Sequence, residues 1–291
     1  METSRYYRVA GHSFCVKADT AWLDKMNNYA PFATECKMQN AELCFSLNSE
    51  LTNSLPTLDG YKLLFVDSSD DDMPRLEVSQ SEQGNWLIAM AMFRHSEVMA
   101  CLQLSADFKN ATLYATTPNK WAIDNALMLQ YAFVTASLGT LEMHAAVVKK
   151  DDKAYIFLGK SGTGKSTHAR QWLKVFADAQ LLNDDNPILR VADNQVTVYG
   201  SPWSGKTPCY KNDSASVEAI YLLHQAPKNV LRPLTMPEAY AAMLMSVSGM
   251  KIMKNTMDNL YETIVQVIQT AKMYYMDCLP NEDAACVAAK G

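Results

Sequence analysis

Residues 159–166 read Gly-Lys-Ser-Gly-Thr-Gly-Lys-Ser and fit GxxxxGK[ST] at every fixed position. No other stretch of the chain dictates so much local geometry. Its glycines admit backbone conformations barred to other residues, so consecutive N–H groups can turn inward around an anion-sized hollow. A helix must start where the loop ends, aiming its positive end at the same point, and a buried strand must lead in. Both flanks comply. AYIFL before the loop is a continuous apolar run, and THARQWLKVF after it has helical character. With 11 glycines in 291 residues, a chance match in this strand and helix context is rare.

The pattern assigns expected roles. Gly159, Lys160, Ser161, Gly162, Thr163, Gly164, Lys165, Ser166 and Thr167 form the phosphate-binding set for a nucleoside triphosphate, read as ATP. Lys165 is expected to reach the β and γ phosphates, and the Ser166 hydroxyl to ligate Mg²⁺. Asn183-Asp184-Asp185 follows about one helix and a short strand later. Two adjacent carboxylates allow a division of labour, one serving the metal and the other accepting a proton from an attacking hydroxyl. Like charges so close together favour distinct roles for the two. Taken alone, Asp-Asp-Asn-Pro is also good turn chemistry. Lys206, in SPWSGK, is either a phosphate contact or a solvated loop lysine.

Composition sets outer limits. An apolar fraction of 48% and a charged fraction of 20% are ordinary for a globular protein. A net charge of −5 offers no basic field for nucleic acid or anionic lipid, so neither is expected as a partner. No apolar run reaches the length of a membrane helix, and the seven cysteines form no CxxC pair. These features predict a reduced, cytoplasmic, membrane-free chain. The 17 methionines read as core filler. Residues 1–117 carry short aromatic and β-branched runs typical of strands, and the acidic stretch 68–72 reads as a solvated turn. From residue 118 to 291, helical patterns alternate with strands around the glycine-rich loop: a buried helix over 119–139, LEMHAAVVKK as one strand, and helices near 236–248 and 256–271. The division predicts a β-rich N-terminal region that selects the acceptor and a nucleotide-binding kinase domain.

His144 in HAAVV, the loop GKSGTGKST, Asp184-Asp185 and SPWSGK together resemble the HPr kinase/phosphorylase and phosphoenolpyruvate carboxykinase superfamily. The resemblance covers roughly residues 120–291. It implies an α/β fold, a phosphoenolpyruvate carboxykinase-like P-loop domain with a mixed β-sheet, preceded by the β-rich region. It also implies an ATP- and Mg²⁺-dependent kinase acting on a hydroxyl, serine included, of a protein, peptide or small molecule. By the match, Asp184 is the base, His144 supports it, Lys165 clamps the phosphates, and Ser166 with Asp185 holds the metal. His144 is followed by Ala145 where the kinases have glycine, and the segment linked to phosphorolysis has no counterpart. Two other readings stay open, an ATP-binding regulatory module and a small-metabolite kinase, and a homo-oligomer is compatible with all three. A GTPase is not: no DxxG follows the loop, and Asn119-Lys120 precedes it without the aspartate of NKxD.

Overall fold

A computed structural model describes residues 2–34, 43–67, 74–205, 207–248 and 254–291. Lys206 and the acidic stretch 68–72 lie outside the described residues. The chain divides into two compact units, Met1–Val134 and Thr135–Gly291, a boundary one helix later than the change in composition at residue 118.

The first unit is a sheet of nine strands: β1 (Thr3–Val9), β2 (His12–Ala18), β3 (Ala33–Thr34), β4 (Phe45–Leu51), β5 (Tyr61–Asp67), β6 (Arg75–Ser81), β7 (Trp86–Ala91), β8 (Ala100–Leu104) and β9 (Asn110–Ala115). Their order is β3-β1-β2-β4-β9-β8-β7-β6-β5. The segment YYRVAGHSFCV forms the hairpin of β1 and β2. Ala10 (φ 48) and Gly11 (φ 82) make the left-handed turn that a two-residue hairpin needs. A short helix, α1 (Thr20–Leu23), follows, capped by the Asp19 side chain. The long helix α2 (Lys120–Thr135) is tied to this sheet by Tyr131, whose hydroxyl donates to the Val9 carbonyl at 3.1 Å, and by Gln130, whose amide donates to the carbonyls of Ser46 and Phe108.

The second unit is a ten-stranded sheet: β10 (Thr140–Met143), β11 (Ala146–Lys150), β12 (Lys153–Leu158), β13 (Gln180–Asn183), β14 (Ile188–Ala192), β15 (Gln195–Tyr199), β16 (Ser214–Gln225), β17 (Val230–Pro233), β18 (Val247–Ser248) and β19 (Lys272–Cys278). Only the pairs β12–β16 and β16–β19 are parallel. Two layers of helix cover it. On one face lie α3 (Lys165–Val175) and α6 (Glu282–Ala288), where Ala169, Trp172, Ala284 and Ala288 pack on Phe157 and Tyr221. On the other lie α4 (Met236–Ser246) and α5 (Lys254–Thr270), whose Leu260, Ile264, Val267 and Ile268 fall on one helical stripe and meet Ile156, Leu158 and Ile220.

These findings correct the expected fold class. The carboxykinase-like P-loop α/β domain is replaced by a β-rich mixed architecture with two large mixed sheets of nine and ten strands. The physical reason is connectivity. Most neighbours are antiparallel and joined by short turns, whereas a sheet built from strand–helix–strand crossovers would be mostly parallel.

LEMHAAVVKK is also not one strand. β10 pairs with β14 and β18, and β11 with β12 and β13, so the chain changes partners at His144-Ala145. The same switch occurs between β13 and β14 at residues 184–187. β13 and β11 lie at one end of the strand order, and β14 and β10 near the other, yet each pair runs straight into the other pair. The sheet therefore curves back on itself, and the two breaks meet where it closes. Ala145 N–H donates to the Asp185 carbonyl at 2.9 Å, and Met143 N–H to that of Pro187 at 3.0 Å.

Two predictions test this scaffold. A β-carbon on Gly200, just after β15, would lie 2.1 Å from the Lys211 carbonyl oxygen, whereas one on Gly60, in a left-handed turn (φ 79), meets nothing within 4 Å. Gly200→Ala is expected to cost upward of about 3 kcal/mol in urea unfolding, against roughly 1–2 kcal/mol for Gly60→Ala. Equal losses would refute the assigned packing. His168, on the buried face of α3, accepts from the Trp172 indole at 3.2 Å, and burial pushes its pKa from 6.5 down to about 4. The unfolded chain takes up that proton first as pH falls, so stability is lost between pH 6.5 and 4, by about 3 kcal/mol. Acid unfolding of His168→Gln should show a correspondingly shallower decline in that window, and an unchanged slope would contradict the neutral buried imidazole.

Candidate functional site

The glycine-rich loop joins β12 to α3. Its three glycines, Gly159 (φ 153), Gly162 (φ 79) and Gly164 (φ 103), all have positive φ, which accounts for the spacing in the sequence. Gly159 also needs its bare α-carbon for space. A β-carbon there would come 3.1 to 3.3 Å from the Thr163 side chain. The loop closes with Thr163 N–H donating to the Lys160 carbonyl, and α3 begins with His168 N–H on that of Gly164. From outside, the Gln225 amide, at the end of β16, donates to the carbonyls of Gly162 (3.2 Å) and Thr163 (3.3 Å).

Lys165 starts the helix and is 7% exposed. Its ammonium is turned into the loop, donating to the Gly159 carbonyl at 2.9 Å and to that of Lys160 at 3.4 Å. It also donates to His144 Nε2 at 2.8 Å. His144 Nδ1 lies 3.0 Å from Asp185 Oδ1. An ammonium has only protons to give, so Nε2 is the acceptor; the proton sits on Nδ1 and is donated to Asp185. Lysine, histidine and aspartate thus form one chain of contacts. Burial lowers the Lys165 pKa, and the charges of Asp185 and Asp184 offset part of that cost. The sequence reading paired His144 with Asp184; the structure pairs it with Asp185.

The two aspartates are held differently. Asp184 is 6% exposed, close enough for its charge to act on Lys165. Asp185 carries its second oxygen 3.0 Å from the Asn186 amide, and its backbone N–H donates to Asn183 Oδ1 at 2.9 Å. Asn183 is fully buried and spends its amide on Ser201 Oγ and the Trp203 carbonyl, both at 3.1 Å. Ser201 Oγ in turn donates to the carbonyls of Asn186 and Trp203. Residues 201–205 are therefore a bracket around the aspartate turn. Gly205 belongs to it, since a β-carbon there would press on the Asp185 side chain at 3.2 Å.

Ser166, half-buried in the first turn of α3, and Thr167 follow Lys165 directly. A cavity of about 300 Å³ opens on the side of the loop lined by Gly162, Gly164, Thr167, Gln225, Leu279 and Pro280. Neither His144 nor the aspartates line it. Among the described residues, no three His, Cys, Asp or Glu side chains converge on a metal position. The oxygen donors present, Ser166 and Asp185, suit a hard cation that takes its remaining ligands from phosphate and water, as Mg²⁺ does.

Sequence reasoning missed Asn183 as a keystone, Gln225 as a loop brace, and Glu142. Glu142 is 3% exposed, neither carboxyl oxygen has a hydrogen-bond partner among the described residues, and burial, then the Asp185 charge, raises its pKa well above the usual carboxylate value. An acidic residue at alternate spacing in the apolar run before His144 was the available signal. No helix of the described residues is long and apolar enough to cross a membrane.

No protein-family model matches the sequence, and the search of curated proteins returns no match. Among solved structures, the chain is similar to the Hpr(Ser) kinase/phosphatase from Coxiella burnetii, with 13% identity and a TM-score of 0.30, over 52% of this chain and 91% of that one.

Proposed function

We propose that the chain is an ATP-dependent kinase that transfers the γ-phosphoryl group to a hydroxyl of a protein, peptide or small molecule. The observation that carries this reading is the contact chain from Lys165 through His144 to Asp185, set inside a glycine loop whose φ angles suit inward-facing amides. A phosphate-binding loop alone would serve a switch or a regulatory module. A loop lysine joined through His144 to Asp185, with the Asp184 charge also acting on it, supports a reading in which a positive clamp, a metal ligand and a base work together, as in-line phosphoryl transfer requires.

The residues take the following parts. The amides of residues 160–165 and the start of α3 bind the phosphate chain. Lys165 exchanges its contacts with the loop carbonyls for phosphate oxygens. Ser166 and Asp185 would hold Mg²⁺, which when bound neutralises charge on the phosphates. His144 fixes the orientation of Asp185 by its Nδ1–H, as an outer hydrogen bond does for many metal-binding carboxylates. Asp184 accepts the proton of the attacking hydroxyl. The cavity beside Thr167, Gln225 and Leu279 accommodates the nucleoside end, with the phosphates running through the loop toward the aspartates.

The test uses purified protein with γ-labelled ATP, Mg²⁺ and panels of hydroxyl acceptors. Wild type is expected to place label in phosphoester products. Asp184→Asn should bind ATP within about threefold of wild type while losing transfer by about 10³-fold or more, the scale of a removed general base added to lost charge. Lys165→Met should instead weaken ATP binding about tenfold or more, as loss of a charged phosphate contact does. Unchanged transfer by Asp184→Asn would sink the assignment, and release of label only as free phosphate would favour a regulatory module.

A further inference from the structure

The strand order of the first sheet ends on β3 at one side and on β5 at the other. β5 is the last strand in the order and, among the described residues, pairs only with β6. Leu63, Leu64 and Val66 on it are 47%, 44% and 45% exposed. Natural edge strands are normally blunted by charge or proline, so three bare aliphatic side chains on one edge call for a covering element.

A β-bulge decides which register that element can take. Along β5, Lys62 faces Gln80 and Leu63 faces Ser79, but Phe65 then faces Val78, so one extra residue is inserted at Leu64. Ser81 N–H donates to the Asn85 carbonyl across the β6–β7 turn, so the main chain of Ser81 points toward β7. Alternation then turns Gln80 toward β5 and Lys62 toward β6, and leaves the N–H and C=O of Leu63 facing the open edge. The bulge resets the alternation, so Phe65 faces β6 and Val66 faces the open edge. Side chains follow the same rule. The partners of Lys62 and Asp67, Gln80 and Leu76, lie four apart on β6, so Lys62 and Asp67 share a face. The partners of Leu63 and Val66, Ser79 and Glu77, lie two apart, so these two share the opposite face.

We infer that β5 pairs antiparallel with β5 of a second copy of this chain, about a two-fold axis between Leu64 and Phe65. In that register Leu63 meets Val66 of the second copy with both main chains presented for hydrogen bonding. Lys62 meets Asp67 of the second copy in the alternate positions, where side chains approach most closely. Each contact occurs twice by symmetry. In an unbulged strand the same axis would set residues of opposite main-chain direction against each other and form no ladder. The bulge therefore selects this register, and the Lys62–Asp67 pairing makes it complementary in charge.

Sedimentation velocity of the full chain from about 1 to about 200 µM covers the range expected of a small interface. Wild type should show a concentration-dependent dimer, weakened by added salt. Lys62→Asp and Asp67→Lys should each raise the dimer dissociation constant about tenfold, because each reverses two symmetric ion pairs into repulsions. The double variant, with both charges exchanged, should return to within about threefold of wild type. Melting curves serve as the control, since both side chains are exposed. A wild-type monomer across the range would overturn the proposal, and so would single variants that dimerise like wild type or a double variant that does not recover. Monomeric wild type would leave the edge to a different polypeptide.

Discussion

One backbone hydrogen bond, from Ala145 N–H to the Asp185 carbonyl, stands behind most of the site. It holds together the two places where the second sheet changes partners. The ladders on either side keep one register, Glu142 with Ile188 and Val147 with Asn183, which sets His144 and Asp185 across the break from each other. An imidazole and a carboxylate 41 positions apart in sequence thereby come within 3.0 Å. Strand breaks leave main-chain groups that must find partners elsewhere, and here they find each other. Closure of the sheet and assembly of the site are the same event.

The bracket of Asn183, Ser201 and Trp203 does for the aspartates what the closure does for His144. A turn of two adjacent carboxylates repels itself and would be mobile if left to solvent. Asn183 commits its carbonyl to the Asp185 amide and its NH₂ to the SPW segment, so the turn has one conformation. The cost is a fully buried amide, tolerable because each of its hydrogen-bonding groups has a partner. Glu142 is the counter-example nearby. Neither of its oxygens has a hydrogen-bond partner among the described residues, and burial, then the Asp185 charge, opposes its ionisation.

The sequence made the local geometry legible and the long-range geometry opaque. The loop, its lead-in strand and α3 were readable because glycine positions and hydrophobic runs encode them within about 20 residues. The paired aspartates were readable as chemistry, though not as a turn held from residues 201–205. LEMHAAVVKK showed no sign of its break, because its apolar pattern continues while its partners change. The assignment to a carboxykinase-like α/β domain failed for a related reason. Local strand and helix patterns do not say whether neighbouring strands run parallel, and here antiparallel pairing dominates both sheets.

Gln225 ties these observations to ligand capture. By occupying the outward carbonyls of Gly162 and Thr163, its amide leaves the loop few alternative ways to arrange its peptide planes. A glycine-rich segment is the most entropically expensive kind to order. In this chain much of that ordering takes place as the protein folds, on a brace from the end of a central strand. Under the proposed function, the phosphate chain would meet a loop that is already ordered, and more of its interaction energy would survive as affinity.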